Sequence, residues 1–153
     1  MYTFFYFLLY TIYVNKTRCK KIMLRFKQFE ALEYTFYVYF YADITNSVCF
    51  DLVEEHNQND KYTLINGCSV VDYAKGLKDL INWRINDFLL KRMIENFKAL
   101  IYKLGLNDKV VIRKIDDDIQ INNKYFNVID YDDDYTAFKK AIINFIENIA
   151  LNK

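Results

Sequence analysis

Two runs of aspartate are the feature of this sequence whose residue types and spacing could do chemistry. Their members are Asp116, Asp117, Asp118, Asp130, Asp132, Asp133 and Asp134. Between the runs, the segments 119–121 and 125–129 flank Asn122-Asn123-Lys124, a pattern that predicts a β-hairpin whose turn uses Asn in place of Gly. Because an antiparallel hairpin brings its two outer ends together, we expect the two runs to lie close in space.

Clustered carboxylates can bind a divalent cation through oxygen ligands, or they can present an anionic surface to a basic protein. The spacing does not match an EF-hand loop, which needs alternating ligands, a central Gly and a closing Glu. A solvated turn followed by a helix start would also explain these residues. We therefore predict no metal site, and favour an acidic surface that binds a basic partner protein.

The segment 75–104 carries seven bases and three acids, and it offers a second kind of site. A cationic helix of this kind can contact phosphates, with Trp83 or tyrosines stacking on bases. The bases that would contact nucleic acid in this alternative are Lys75, Lys78, Arg84, Lys91 and Arg92. They are spread around the helix rather than confined to one stripe, which is also typical of an ordinary solvated helix face.

Few other residues could support catalysis. His56 is the only histidine, and no nucleophile is identifiable beside it. The three cysteines, Cys19, Cys49 and Cys68, form no CxxC motif and are expected to be reduced. No phosphate-binding, dinucleotide-binding, serine-hydrolase or zinc-protease string occurs, so we expect no cofactor and lean against an enzyme.

The first half of the chain is rich in strand-forming residues. Residues 34–42 and 48–53 are aromatic or β-branched, and residues 62–65 resemble them. The polar residues 54–60 are expected to form a loop, and Asn66-Gly67 a turn. Because these strands follow one another closely, antiparallel pairing is favoured.

Two helical segments are predicted after the strands. Ser69 and Asp72 resemble a capping signal before a helix that runs to about Lys103, with Gly105 as its stop. Its apolar residues recur at every fourth position, and this stripe drifts around a 3.6-residue helix. We therefore expect either a bend near residues 82–86 or a helix covered on more than one side. A strand at 109–115 and the hairpin follow, and Asp132–Asp134 lead into a C-terminal helix.

The predicted fold class is α+β, with an antiparallel sheet packed by a long, possibly broken helix and a C-terminal helix in two layers. The chain has 153 residues, of which 53% are hydrophobic, and a net charge of +1. This composition is typical of a folded domain rather than a disordered tail. Residues 23–153 are therefore predicted to form a single domain.

Residues 1–22 form an apolar segment with three open interpretations. The run from Tyr2 to Val14 is too short for a transmembrane helix, but the bases after it are compatible with a membrane anchor. The segment could also be the first structural element of the domain. Met23 could instead be the true start, since AT-rich DNA read in frame yields such residues.

Charge, motifs and predicted fold favour a non-enzymatic protein-interaction module in the cytoplasm. It would use the aspartate-flanked hairpin, or a tyrosine-rich sheet, to bind another protein. An immunity or inhibitor protein that neutralises a basic toxin is one specific form. The alternatives are a small nucleic-acid-binding protein and an accessory protein associated with a membrane through residues 1–22.

Overall fold

The computed structural model describes residues 24–57, 60–73 and 75–152. The chain forms two compact units, which meet in the sequence between Ile85 and Asn86. The first unit contains a four-stranded sheet, a short helix and the beginning of a long helix. The second contains the rest of the long helix, a three-stranded sheet, a 3-10 segment and the C-terminal helix. Residues 1–22, including the possible anchor, lie outside the described residues.

The first unit is built on a four-stranded antiparallel meander in the order β1-β2-β3-β4. The strands are β1 (Leu24–Ala31), β2 (Tyr34–Ala42), β3 (Val48–Asn57) and β4 (Asp60–Ser69). Strand β2 has the predicted bounds. Alternate side chains of β2 and β3 form the buried face, with Phe40 opposite Phe50 and Val38 opposite Leu52. Because successive side chains of a strand point to opposite faces of the sheet, every second residue of each strand lies on this face.

Strands β3 and β4 are longer than the sequence indicated. The loop predicted for residues 54–60 is wrong, because β3 continues through Asn57 and β4 begins at Asp60. The predicted turn at Asn66-Gly67 is also wrong. Phe50 pairs with Cys68 and Leu52 with Ile65, so Asn66 and Gly67 bulge opposite Asp51. Gly67 has φ +66° in this bulge. Glycine suits the position because it adopts a positive φ without steric cost.

The helical region contains a short helix α1 (Val70–Tyr73) and a long helix α2 (Leu77–Lys103). Helix α2 has no break at the predicted position. Every side chain from Ile85 to Leu90 is buried, which matches the other expectation, a helix covered on more than one side. The helix ends where predicted: Gly105 has φ +68°, and the Leu106 amide donates to the Ile101 carbonyl oxygen, as in a Schellman motif.

The second unit contains a three-stranded antiparallel meander in the order β5-β6-β7. The strands are β5 (Ile112–Ile115), β6 (Asp118–Ile121) and β7 (Lys124–Asn127). The hairpin predicted around Asn122-Asn123 is confirmed, since Ile121 pairs with Lys124 and Asn122 has φ +54°. Strand β7 ends at Asn127 rather than Ile129, because residues Val128–Tyr131 form a 3-10 segment.

The C-terminal helix α3 (Tyr135–Leu151) confirms the last predicted element. Phe138, Ile142 and Ile146 are fully buried along one face, as the 3–4 spacing indicated. Phe145 packs edge-to-face on Phe126 of β7, with ring centroids 5.4 Å apart. Helix α3 therefore covers the face of the second sheet that carries Ile119, Ile121 and Phe126.

The α+β class is confirmed, with antiparallel strands, a long helix and a C-terminal helix. The strands form two separate sheets, whereas the sequence indicated one. Among the helices that the structure describes, none combines the length and the apolar composition of a transmembrane span.

Candidate functional site

The first aspartate run lies on the hairpin between β5 and β6. Asp116 and Asp117 form its two-residue turn, because Ile115 pairs with Asp118. Asp116 has φ +51°, a left-handed conformation that Asp tolerates better than most residues. Asp118 opens β6, and its carboxylate accepts a 2.8 Å hydrogen bond from Asn127 Nδ2. The first run therefore combines two exposed turn carboxylates with one half-buried strand carboxylate.

The second run connects the 3-10 segment to helix α3. Asp130 lies within the 3-10 segment, and Asp132 and Asp133 follow with φ near +60°. Asp134 is the N-cap of α3: its Oδ1 accepts from the backbone N–H groups of Thr136 at 3.0 Å and Ala137 at 3.2 Å. All four carboxylates of this run are exposed. The Asp134 carboxylate thus stabilises the start of helix α3, while Asp132 and Asp133 contribute a left-handed backbone.

Tyr135 and Asn86 connect the two runs. The Tyr135 hydroxyl donates a 2.8 Å hydrogen bond to Asn86 Oδ1, and Asn86 Nδ2 donates to Asp117 Oδ1 at 3.4 Å. Burial, and then the negative charges of Asp133 and Asp117, raise the pKa of Tyr135 to about 12. The two hydrogen bonds thus connect Asp117 of the first run, through Asn86, to the residue that follows Asp134 of the second run.

None of the seven aspartates is neutralised by a cation within the described part of the chain. Two neighbouring lysines are already occupied by another carboxylate, that of Asp87. Lys114 Nζ lies 2.7 Å from Asp87 Oδ1, and Lys91 Nζ lies 3.0 Å from Asp87 Oδ2. We call the seven aspartates Asp116–Asp118, Asp130 and Asp132–Asp134 the acidic surface. Its negative charge is left to solvent and to any bound partner.

Asp87 is a buried carboxylate that sequence reasoning missed. Burial raises the pKa of this group, but the hydrogen bonds and positive charges of Lys114 and Lys91 outweigh burial and hold it below its usual range. The only sequence signal was the i,i+4 pairing of Asp87 with Lys91 on the predicted helix. Lys114 could not be found this way, because it comes from a strand on the core face of the second sheet. The cluster is ionised and paired, so its role is structural.

The basic residues proposed for nucleic-acid contact differ in their exposure and in the contacts that they make within the chain. Lys75 and Lys78 are exposed. Arg84 donates to the Leu64 carbonyl oxygen from Nη2 at 2.9 Å and from Nε at 3.3 Å, so its guanidinium holds the helix to β4. Lys91 is the ion-pair partner of Asp87, and the guanidinium of Arg92 lies 5.2 Å from the Phe88 ring centre.

The tyrosine-rich sheet of the first unit uses several hydroxyl groups internally. The Tyr41 hydroxyl donates to Asp51 Oδ1 at 2.9 Å, and the Gly67 amide donates to the same oxygen at 2.7 Å. Burial and the Asp51 hydrogen bond raise the pKa of Tyr41. On the same face, Tyr39 donates to Glu55 at 3.0 Å. These contacts tie the sheet and its bulge together.

The described residues contain no group of three or more His, Cys, Asp or Glu side chains arranged to hold a metal ion. Cys49 and Cys68 are both free thiols. The side chain of His56 and the whole of Cys19 lie outside the described part of the chain. What the site offers chemically is charge and hydrogen-bond acceptors on a rigid hairpin and helix start.

Comparison with models of known protein families, with curated proteins and with solved structures found no match.

Proposed function

We propose that this protein is a non-enzymatic interaction module, which binds a basic partner protein through the acidic surface of its second unit. The observation that carries the proposal is the pair of hydrogen bonds that joins Tyr135, the residue after the second run, through Asn86 to Asp117 of the first run. An inhibitor or immunity-type protein for a basic toxin in the cytoplasm is the specific form that we favour.

Charge is the first support for this proposal. Seven carboxylates lie on one hairpin and one helix start, without an ion pair to any described residue. Complementary potentials across an interface mainly increase association rate and specificity. A cluster of this size thus suits recognition of a cationic protein surface.

Rigidity is the second support. The Asp134 cap, the Asp118–Asn127 hydrogen bond and the Tyr135–Asn86–Asp117 connection fix the backbone that carries the carboxylates. A surface ordered before binding loses less conformational entropy when the partner arrives. Three of the seven carboxylates, those of Asp117, Asp118 and Asp134, make such hydrogen bonds.

The nucleic-acid alternative has weaker support. Arg84 and Lys91 are engaged within the chain, by the Leu64 carbonyl oxygen and by Asp87. The membrane alternative depends on residues 1–22, which the described structure does not include. We therefore treat nucleic-acid binding as an outcome of the test rather than as a second proposal.

The test is capture of partners from an extract of the source cells, followed by titration calorimetry with the purified captured protein. The variant neutralises four exposed acids: Asp116→Asn, Asp117→Asn, Asp130→Asn and Asp133→Asn. Asn keeps the size of Asp and tolerates positive φ, so the turns are preserved. A matched control neutralises four exposed acids elsewhere: Asp79→Asn, Asp108→Asn, Glu95→Gln and Glu147→Gln.

The proposal expects a basic partner, whose affinity falls for the acidic-surface variant and with added salt, and is retained by the control. Equal affinity for both variants would contradict it. A salt-dependent mobility shift with DNA or RNA, together with no captured protein, would replace it with the nucleic-acid alternative.

A further inference from the structure

The outer face of the β5-β6-β7 sheet, opposite the face that packs on α3, has the composition of a protein interface. Strand register places Arg113, Gln120 and Tyr125 in one row across the three strands. Ile115, Asp118 and Asn127 form the next row. Side chains of directly paired residues point to the same face, about 5 Å apart. These six residues therefore form one continuous surface.

Large side chains on this face are exposed. Val111, just before β5, is 56% exposed, Tyr125 is 56% exposed and Ile115 is 37% exposed. Single exposed apolar residues are ordinary on protein surfaces, but here Val111 and Ile115 flank Arg113 along one strand. Tyr and Arg are the residue types most enriched at the energetic centres of interfaces.

Arg113 has no ion pair and no side-chain hydrogen bond within the described part of the chain. It is exposed at the β5 end of its row, and Val111 and Ile115 lie on either side of it along the chain. The Asp117 carboxylate accepts a hydrogen bond from Asn86 on helix α2, so it is not counted with this face. Asp116 in the β5–β6 turn, and Asp118 in the same row as Ile115, lie towards one end of the sheet and have no ion pair within the described part of the chain. Arg113 and these two carboxylates are displaced from each other along the strands.

We propose that this face binds a second copy of the chain in a two-fold symmetric dimer. A two-fold axis across the face exchanges its ends, and so brings Arg113 of each copy close to Asp116 and Asp118 of the other. Each copy then contributes one Arg113 and one set of aspartates, so two equivalent ion pairs form across the interface. The side chains of Val111, Ile115 and Tyr125 are shielded from solvent by the other copy. An isologous interface requires such a self-complementary patch. The dimer interface shares Asp116 and Asp118 with the acidic surface. Arg113 and Tyr125 lie outside that surface, so their variants test the dimer separately from binding of the proposed partner.

The test uses the full chain, with sedimentation equilibrium over a wide range of protein concentration. The wild type is expected to form dimers. Arg113→Glu places like charges opposite each other twice, and at about tenfold per pair the dimer should weaken by about a hundredfold. Lys140→Glu makes the same charge change at an exposed position of α3, and should leave the dimer unaffected.

Mixing two charge-reversed variants gives the sharpest result. Asp116→Lys should also weaken the dimer, whereas an equimolar mixture of Asp116→Lys and Arg113→Glu should restore it, because both cross-interface pairs are again of opposite sign. Tyr125→Ser removes an exposed ring without changing charge, and should weaken the dimer even if Asp116→Lys proves unstable by circular dichroism. A wild type that is monomeric throughout, or a dimer that tolerates Arg113→Glu, would overturn the proposal.

Discussion

Tyr135 and Asn86, 49 positions apart in the sequence, are joined by a 2.8 Å hydrogen bond from the tyrosine hydroxyl to the amide oxygen. Asn86 is almost fully buried, and its amide nitrogen Nδ2 donates a hydrogen bond to Asp117 Oδ1. The first residue of helix α3 is thereby attached both to helix α2 and to the β5–β6 turn. The geometry of the acidic surface depends on this connection.

Tyr135→Phe should lower the free energy of unfolding by about 1–2 kcal/mol, because the buried Asn86 Oδ1 loses its donor. Urea unfolding followed by circular dichroism measures the change. Tyr102→Phe is the control, since the Tyr102 side chain is 74% exposed on helix α2 and its loss in the free energy of unfolding should stay within about 0.5 kcal/mol. Equal losses in the two variants would mean that the hydrogen bond to Asn86 contributes nothing.

The two lysines that contact Asp87 should differ in their contribution to stability. The Lys114 side chain is 22% exposed and that of Lys91 is 66% exposed. Lys91→Met should cost no more than about 0.5 kcal/mol, as is typical of an exposed i,i+4 pair. Lys114→Met should cost more, approaching the about 3 kcal/mol seen when one partner of a buried pair is removed. Comparison of the two urea midpoints tests this order, and the reverse order would contradict the ion-pair geometry.

Asp87 should contribute to the acid sensitivity of the protein. Its pKa is lower in the folded chain than the ordinary value of 3.8. Its stabilising effect is therefore present above pH 3.8, and is lost as the pH falls through the lower folded pKa. Asp87→Asn should be less stable than the wild type at neutral pH, and the two unfolding free energies should converge at the acid end. A constant difference across the whole pH range would show that the charge of Asp87 is irrelevant.

Gly67 should resist substitution because of its backbone conformation. Its φ is +66°, and an added Cβ would lie 3.4 Å from the Tyr41 hydroxyl oxygen. Gly67→Ala should cost about 1–2 kcal/mol in the free energy of unfolding, which is the penalty for a left-handed L-residue. Gly67→Asn introduces the same Cβ but tolerates positive φ, so thermal unfolding should show a smaller loss. If both substitutions cost the same, contact with Tyr41 rather than φ would be the cause.

The parts of the fold that could be predicted were those governed by local pattern. Strand β2 follows from a run of aromatic and β-branched residues, and helix α3 from a 3–4 spacing behind a run of aspartates. The hairpin could be recognised without a glycine because Asn, the residue type at position 122, tolerates the positive φ that the turn requires. In each case, the signal and the structure lie within one short segment of the chain.

The errors came from interactions between distant residues. Asn66-Gly67 is a common turn signal, but pairing of β4 with β3 absorbs the two residues as a bulge opposite Asp51. Residues 54–57 are polar, yet they continue β3 because β4 pairs with them across the sheet. The contacts of Asp87 with Lys114, and of Tyr135 with Asn86, depend on tertiary packing. No spacing in the sequence indicates them, although the two aspartate runs themselves were evident.

The most direct test of the central claim is calorimetric titration of the captured partner with the wild type, the acidic-surface variant and the matched control. Both variants lose four negative charges, so a difference between them reports where the charge lies rather than how much there is. The account predicts that affinity and its salt dependence fall only when Asp116, Asp117, Asp130 and Asp133 are neutralised. Affinity that is indifferent to these four residues would contradict it.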